Sequence, residues 1–467
     1  MHPVLVLNVV GLTPSLIGPH TPNLERFVRA GAVRPLHSIT PAVTCAVQST
    51  FLTGLLPRDH GVVANGWLFR DLMEVWFWRQ SNRLVSGERI WDEAKTRNPD
   101  FTCANLFWWY AMASGADIAV TPRPIYKADG RKLPDCYAVP AELRDELTAK
   151  LGAFPLFQFW GPATSIRSSQ WIADAALHVM RQRDPTLTLV YLPHLDYGLQ
   201  RHGPDHPSIA KDLAEIDRVV GTLVSAAETM GRRVVILSEY GIVPVSRPVH
   251  INRALREAGL LAVRVEEGGE HLDIPQSRAF AVADHQLAHI YVAEPALLKE
   301  VRRIVEGLDG VDAVLDEAGK RSFGLDHPRS GELVALAEQD AWFTYYYWND
   351  DADAPDFART VDIHRKPGYD PGELVLDPTI RFPKLALGWR LLKKKLGFRT
   401  LMDVIPLDAS LVKGSHGRAD IPDALGPVFL SSEPHLLPVG AVEAIAVKNL
   451  LLAHIFEGSL NEDPTRD

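Results

Sequence analysis

The sequence predicts an α/β protein with a mostly parallel central sheet flanked by helices. Two observations carry this. First, three short apolar runs, Val4–Val10, Thr186–Leu192 and Arg233–Leu237, read as buried strands. Second, polar residues stand just past the C-terminal ends of two of them: His194 and Asp196 after one, Ser238 and Glu239 after the other. Open α/β sheets bind ligands outside the carboxyl ends of their strands, so separate strands deliver polar side chains to one edge.

Gly11 breaks the first strand. Thr21-Pro22 reads as an N-cap and first-turn proline, opening a helix from Asn23 to about Ala30 that closes near Gly31. Residues 279–292 and 331–338 read as further core strands, and Val442–Phe456 as a closing amphipathic helix. The stretch from Trp67 to Trp171 holds Trp76, Trp78, Trp91, Trp108, Trp109 and Trp160, and suits a cap or pocket wall. The expected division is therefore core 1–67, Trp-rich insertion 68–170, core 171–342, an irregular second insertion 343–412 and a closing segment 413–467.

Composition narrows the function. The formal charge is −9, from 49 Lys+Arg against 58 Asp+Glu, and there is no basic tract of the kind nucleic acid demands. Cys45, Cys103 and Cys136 are too few and too scattered for a disulfide framework or a zinc knuckle, which suggests a reducing compartment. The apolar start lacks a basic leader and a cleavage site, and no run reaches the length of a membrane span. The expectation is a cytoplasmic protein. One segment, Leu385–Arg399, carries Trp389, Arg390, Lys393, Lys394 and Lys395. A solvated helix face is the commoner reading of such a stretch, and contact with an anionic membrane is the minor one.

The segment Pro41–Trp67 carries Thr44, Thr53-Gly54, Pro57, His60-Gly61 and Asn65. In order and spacing it resembles the nucleophile segment of the type I phosphodiesterases and nucleotide pyrophosphatases, a branch of the alkaline phosphatase superfamily. Asp196, Gly203 and Pro204 resemble that family's Asp-x-x-Gly-His-x-x-Gly-Pro loop. Ser238–Gly241 stands where the family has Ser-Asp-His-Gly, and Lys413–Gly417 resembles the segment supplying its last metal-binding histidine. The resemblance implies an alkaline-phosphatase-like sheet, Thr44 as nucleophile, and metal ligands at Thr44, Asp196, Glu239 and His416. It implies two divalent ions, usually zinc, and a small phosphoester, pyrophosphate or phosphonate substrate.

The pattern also departs from the family. Val10 stands where the family has its first metal-binding Asp, and Asn8, on the same strand face, is a partial substitute. Gln200 replaces a His, Glu239-Tyr240 replaces Asp-His, and Val47 replaces a phosphate-contacting Asn. An oxygen-rich set with one histidine suits Mg²⁺ or Mn²⁺ better than Zn²⁺. Further ligands or substrate contacts are sought at Asn8, Gln200, His202, Tyr240, Asp284, His285, Asp362 and His364. The expected function is a metal-dependent phosphohydrolase. The alternative is a ligand- or partner-binding descendant that has lost the metal pair.

Overall fold

The computed structural model describes residues 1–398 and 400–457. Arg399 of the basic segment and the last ten residues of the closing segment, 458–467, lie outside them. The central sheet has nine strands. In chain order they are β1 (Val4–Val9), β2 (Ala32–His37), β3 (Cys103–Leu106), β4 (Ile118–Pro122), β5 (Cys136–Val139), β6 (Leu187–Leu192), β7 (Arg233–Leu237), β8 (Val428–Ser431) and β9 (Val442–Glu443). Across the sheet the order is β9-β2-β8-β7-β1-β6-β3-β4-β5.

The middle of this sheet, β7-β1-β6-β3-β4, is parallel throughout. Strands β1 and β6 are buried at every position, which is why they read as continuous apolar runs. Strand β8 runs antiparallel to both β7 and β2. Part of the stretch expected as an inserted cap, residues 103–139, supplies β3, β4 and β5. Their runs are short and broken by Asn105 and Thr121, so they carry a weak strand signal.

The helices named below are α1 (Pro22–Ala30), α2 (Thr44–Thr53), α3 (Ile166–Arg183), α4 (His194–His202), α5 (Ile209–Thr229), α6 (Pro383–Lys395) and α7 (Val447–Phe456). Helix α1 starts where expected, but Thr21 does not cap it through its side chain. Asp217 of α5 does so from a distance, accepting the backbone N–H groups of Asn23 at 3.0 Å and Leu24 at 2.9 Å. The expected closing helix begins only at Val447, because Val442–Glu443 pairs with β2 as an edge strand.

A second, four-stranded antiparallel sheet lies in residues 279–337 and has its own apolar core. Residues 279–292 form two strands of it, Ala279–Asp284 and Leu287–Val292, reversing at His285 and Gln286. His285 takes a left-handed φ of 61° to make that turn. The reversal aims Asp284 and His285 back at the central sheet.

Candidate functional site

Strand register builds the site. Asn8 of β1 lies level with Tyr191 of β6 and Leu237 of β7, so the residues just past these strands gather at one edge. Past β6 the chain enters α4 directly. Asp196 and Gln200 are one helical turn apart and share a face, and the Gln200 amide donates to Asp196 Oδ2 at 2.7 Å. Past β7 come Ser238, Glu239 and Tyr240. Gly241 is required here, because a Cβ would stand 1.7 Å from the carbonyl oxygen of Leu425.

Thr44 opens α2 as its first helical residue, not its N-cap, and is only 3% exposed. Asn65 secures this helix start. Its Oδ1 accepts the Cys45 N–H at 2.9 Å, while its own backbone N–H and side-chain amide donate to Asp284 at 2.7 and 3.1 Å. The Thr44 hydroxyl lies 3.2 Å from the Tyr240 hydroxyl, which donates in turn to Asp196 Oδ1 at 3.1 Å. On the other side, Glu239 Oε1 accepts from the amide of Asn8 at 2.6 Å and from that of Gln48. Gln48 is held by the backbone N–H of Trp109, which donates to its Oε1 at 2.7 Å.

Four rings close the space above. Tyr369 stacks on His285 and Tyr240 on His416, with centroid separations of 3.8 and 3.5 Å, and the two imidazoles between them lie 3.6 Å apart at a 36° tilt. His416 Nδ1 donates to the Ala42 carbonyl at 2.7 Å, which fixes its tautomer. The Tyr369 hydroxyl donates to Gln200 Oε1 at 3.1 Å. Trp78 and Trp160 pack on Tyr369, and Trp109 packs on Trp78, so part of the tryptophan-rich stretch does roof the site. A hollow against Gln48, Trp109 and Tyr110 measures about 10 Å³, no more than one water requires.

Burial dominates the electrostatics. It raises the carboxyl of Glu239 to about 8, and those of Asp196 and Asp284 to about 7, against the opposing pull of their amide and phenol donors. It lowers His416 to about 3 and His285 well below the usual imidazole value. The cluster is therefore most stable with few charges: acids holding protons and histidines lacking them.

Of the residues expected at the site, Asn8, Thr44, Asp196, Gln200, Glu239, Tyr240, His285 and His416 come together, and Asp284 joins through Asn65. Three do not. His202 stacks on His206 at 5.0 Å, Asp362 pairs with Arg365 at 2.9 Å, and His364 is exposed. Gln48 and Tyr369 were not anticipated. Gln48 had a signal, lying one turn from Thr44 on the same helix face. Tyr369 had none, because it reaches the site from an irregular segment.

The donor set does not fit a two-metal centre. Both oxygens of Asp196 are engaged by neutral donors, and the Tyr240 ring covers His416. The Val10 side chain offers no ligand atom. Among the described residues, the three-residue grouping of His, Cys, Asp or Glu with ligand atoms within 4.8 Å of one another is His194, Asp212 and Glu215, not Asp196, Glu239 and His416. His194 lies two residues before Asp196 on α4, hence on its opposite face. Beside Thr44, two buried acceptors lack a hydrogen bond, Asn8 Oδ1 and Glu239 Oε2. A proton on Glu239 suits its raised affinity and reduces that mismatch.

Comparison with known proteins agrees with this architecture. The family model described as type I phosphodiesterase/nucleotide pyrophosphatase matches residues 4–370. A pyrophosphatase/phosphodiesterase of Schizosaccharomyces pombe, itself uncharacterised, is 23% identical over 252 residues, which is 52% of this chain and 45% of that relative. The match thus spans less than half of the relative's length. Murine ectonucleotide pyrophosphatase/phosphodiesterase 5, in an inactive form with AMP, superposes with a TM-score of 0.58 at 13% identity, covering 97% of this chain and 95% of the other. Phosphonoacetate hydrolase from Sinorhizobium meliloti, bound to phosphonoformate, gives 0.62 at 15% identity, covering 97% and 96%. At such identities the likeness shows a shared fold.

Proposed function

Because the chain belongs to the type I phosphodiesterase/nucleotide pyrophosphatase family, we propose that it descends from phosphohydrolases but has given up their two-metal centre. It keeps the scaffold to bind a ligand or partner. One observation carries this reading. Neutral side chains hold the surviving acids: Gln200 and Tyr240 on Asp196, and Asn8 and Gln48 on Glu239. Gln200 and Tyr240 stand where the family resemblance expects metal-binding histidines. A metal ion would have to displace these donors and unstack Tyr240 from His416. The ligand class, by analogy with the AMP and phosphonate complexes of its structural neighbours, is a small phosphorylated or phosphonate molecule.

A second reading keeps the chemistry, and the geometry at Thr44 favours it. The hydroxyl sits at a helix N-terminus, where backbone N–H groups favour an incoming phosphate. It also lies beside Glu239, whose carboxylate, populated as pH approaches about 8, can take the Thr44 proton as the hydroxyl oxygen attacks phosphorus and the ester oxygen leaves. Metal analysis after incubation with Zn²⁺ and Mn²⁺, run beside hydrolysis of a chromogenic phosphodiester and a phosphonate monoester, separates the two readings. The first expects no stoichiometric metal and no Thr44-dependent turnover. Stoichiometric metal lost in Glu239→Ala or His416→Ala overturns it. Turnover abolished by Thr44→Ala, with the fold intact, establishes the second.

A further inference from the structure

Helix α6 presents its apolar stripe to solvent. Phe382, just before it, Leu385, Trp389 and Leu392 on it, and Leu396 just after it recur at alternating three- and four-residue steps, the spacing of one helical face. They are 60%, 72%, 58%, 45% and 65% exposed. Such a stripe normally turns inward against a core. Here it does the opposite, and Phe398 and Leu401 extend the exposed apolar surface beyond the helix.

Charge is the second observation. From Pro378 to Met402 the sequence holds seven basic residues, Arg381, Lys384, Arg390, Lys393, Lys394, Lys395 and Arg399, and no Asp or Glu. The whole chain carries −9, so this is a local inversion of sign. On a helical wheel Arg390 and Lys393 fall to one side of the apolar stripe, and Lys395 to the other. Among the described residues, Arg390 is the basic side chain here with a carboxylate partner, Asp403 at 2.8 Å. Lys393 lies over the Trp389 ring at 5.3 Å, and Arg381 over Phe382 at 5.6 Å.

We propose that α6 docks this protein on an anionic lipid surface. The apolar stripe would enter the boundary between headgroups and acyl chains, with the flanking lysines and arginines among the lipid phosphates. The stripe gives apolar area and the flanks give charge complementarity, the two contributions that bind an amphipathic helix in the plane of a bilayer. Trp389 belongs at that boundary, with its ring in the apolar layer and its N–H among polar groups. No helix among the described residues is long and apolar enough to cross a membrane, so the attachment is peripheral. The exposed stripe and the acid-free run are the grounds for taking the membrane reading over that of a merely solvated face.

The test is co-sedimentation of the full chain with vesicles of phosphatidylcholine alone and of phosphatidylcholine mixed with phosphatidylglycerol, at low and high salt. The expected result is binding to the mixed vesicles at low salt, release at high salt, and a blue shift of Trp389 fluorescence on binding. Lys393→Gln with Lys395→Gln should weaken partitioning roughly 30-fold, at about one factor of five per basic residue. Leu385→Ser with Leu392→Ser should abolish it. Leu385, Leu392 and Lys395 are exposed and Lys393 is half-buried, and an unchanged melting temperature confirms the fold in both variants. No sedimentation with anionic vesicles at low salt overturns the proposal, as does equal binding to neutral ones. Binding instead to an acidic protein partner, with no vesicle binding, overturns it in favour of a protein interface.

Discussion

Glu239 shows how one buried acid can shape the behaviour of the whole molecule. Its folded-state proton affinity is raised to about 8 by burial, so the folded state holds a proton that the unfolded chain releases near pH 4.5. Stability from this group is complete below the unfolded value and is lost as pH rises through about 8. Asp196 and Asp284 act in the same sense up to about 7. His416 and His285 act in the opposite sense. Kept neutral by burial, they cost stability as pH falls below the ordinary imidazole value of 6.5. Within this cluster only the acids titrate above 6.5, so the melting temperature should decline between pH 6.5 and 8. Glu239→Gln, which mimics the protonated acid, should flatten that decline by several degrees while matching the parent near pH 5; calorimetry across pH checks it. A second residue-scale expectation concerns the lost ligands. Val10→Asp, Gln200→His and Tyr240→His together should confer stoichiometric zinc, read by elemental analysis. Absence of metal in that folded variant would mean that the closure above the site, and not ligand identity, excludes it. The sequence made most of these residues legible, because motif spacing is conveyed by residue type alone. It could not show that Gln200 and Tyr240 replace lost ligands by binding Asp196, since hydrogen bonds between distant segments leave no local trace.

At the scale of elements, the segment that carries Tyr369 is anchored from beneath by a buried ion cluster. Lys366 Nζ pairs with Asp370 at 2.7 Å and Glu373 at 2.8 Å, and all three are almost fully buried. Trp160 Nε1 donates to Glu373 Oε2 at 2.5 Å and so ties the tryptophan-rich stretch to the same cluster. Removing the cation leaves two carboxylates facing one another in a dry site. Lys366→Met should destabilise the fold by about 3–5 kcal/mol. The loss should concentrate locally, giving faster proteolysis within residues 356–375 and a loosened ring stack, measurable by limited digestion. Periodicity predicted β1, β6 and β7 because buried parallel strands are uniformly apolar. It missed β3, β4 and β5, which are short and interrupted by polar residues. Helix α1 was legible from its first-turn proline, but its cap was not, because Asp217 supplies it from about 190 residues away.

At the scale of the whole molecule, two unlike surfaces share one chain: an acidic body and one basic, apolar helix. The fold class was readable from strand pattern and motif order, because both are distributed along the sequence. The placement of the second sheet was not, since nothing local says that Asp284 and His285 will turn back toward Thr44. The order of the central sheet has a consequence for how the protein is made. Strand β8 sits between β2 and β7, both of which are translated long before it. About 190 residues separate the end of β7 from β8, so at cellular synthesis rates β7 waits roughly 10–40 s with one edge open, and β2 waits with neither of its strand partners made. Exposed strand edges recruit other strands. The ribosome-bound chain is therefore a natural client for holding chaperones. A premature stop before Val428 would leave an aggregating six-stranded sheet and not a shortened protein.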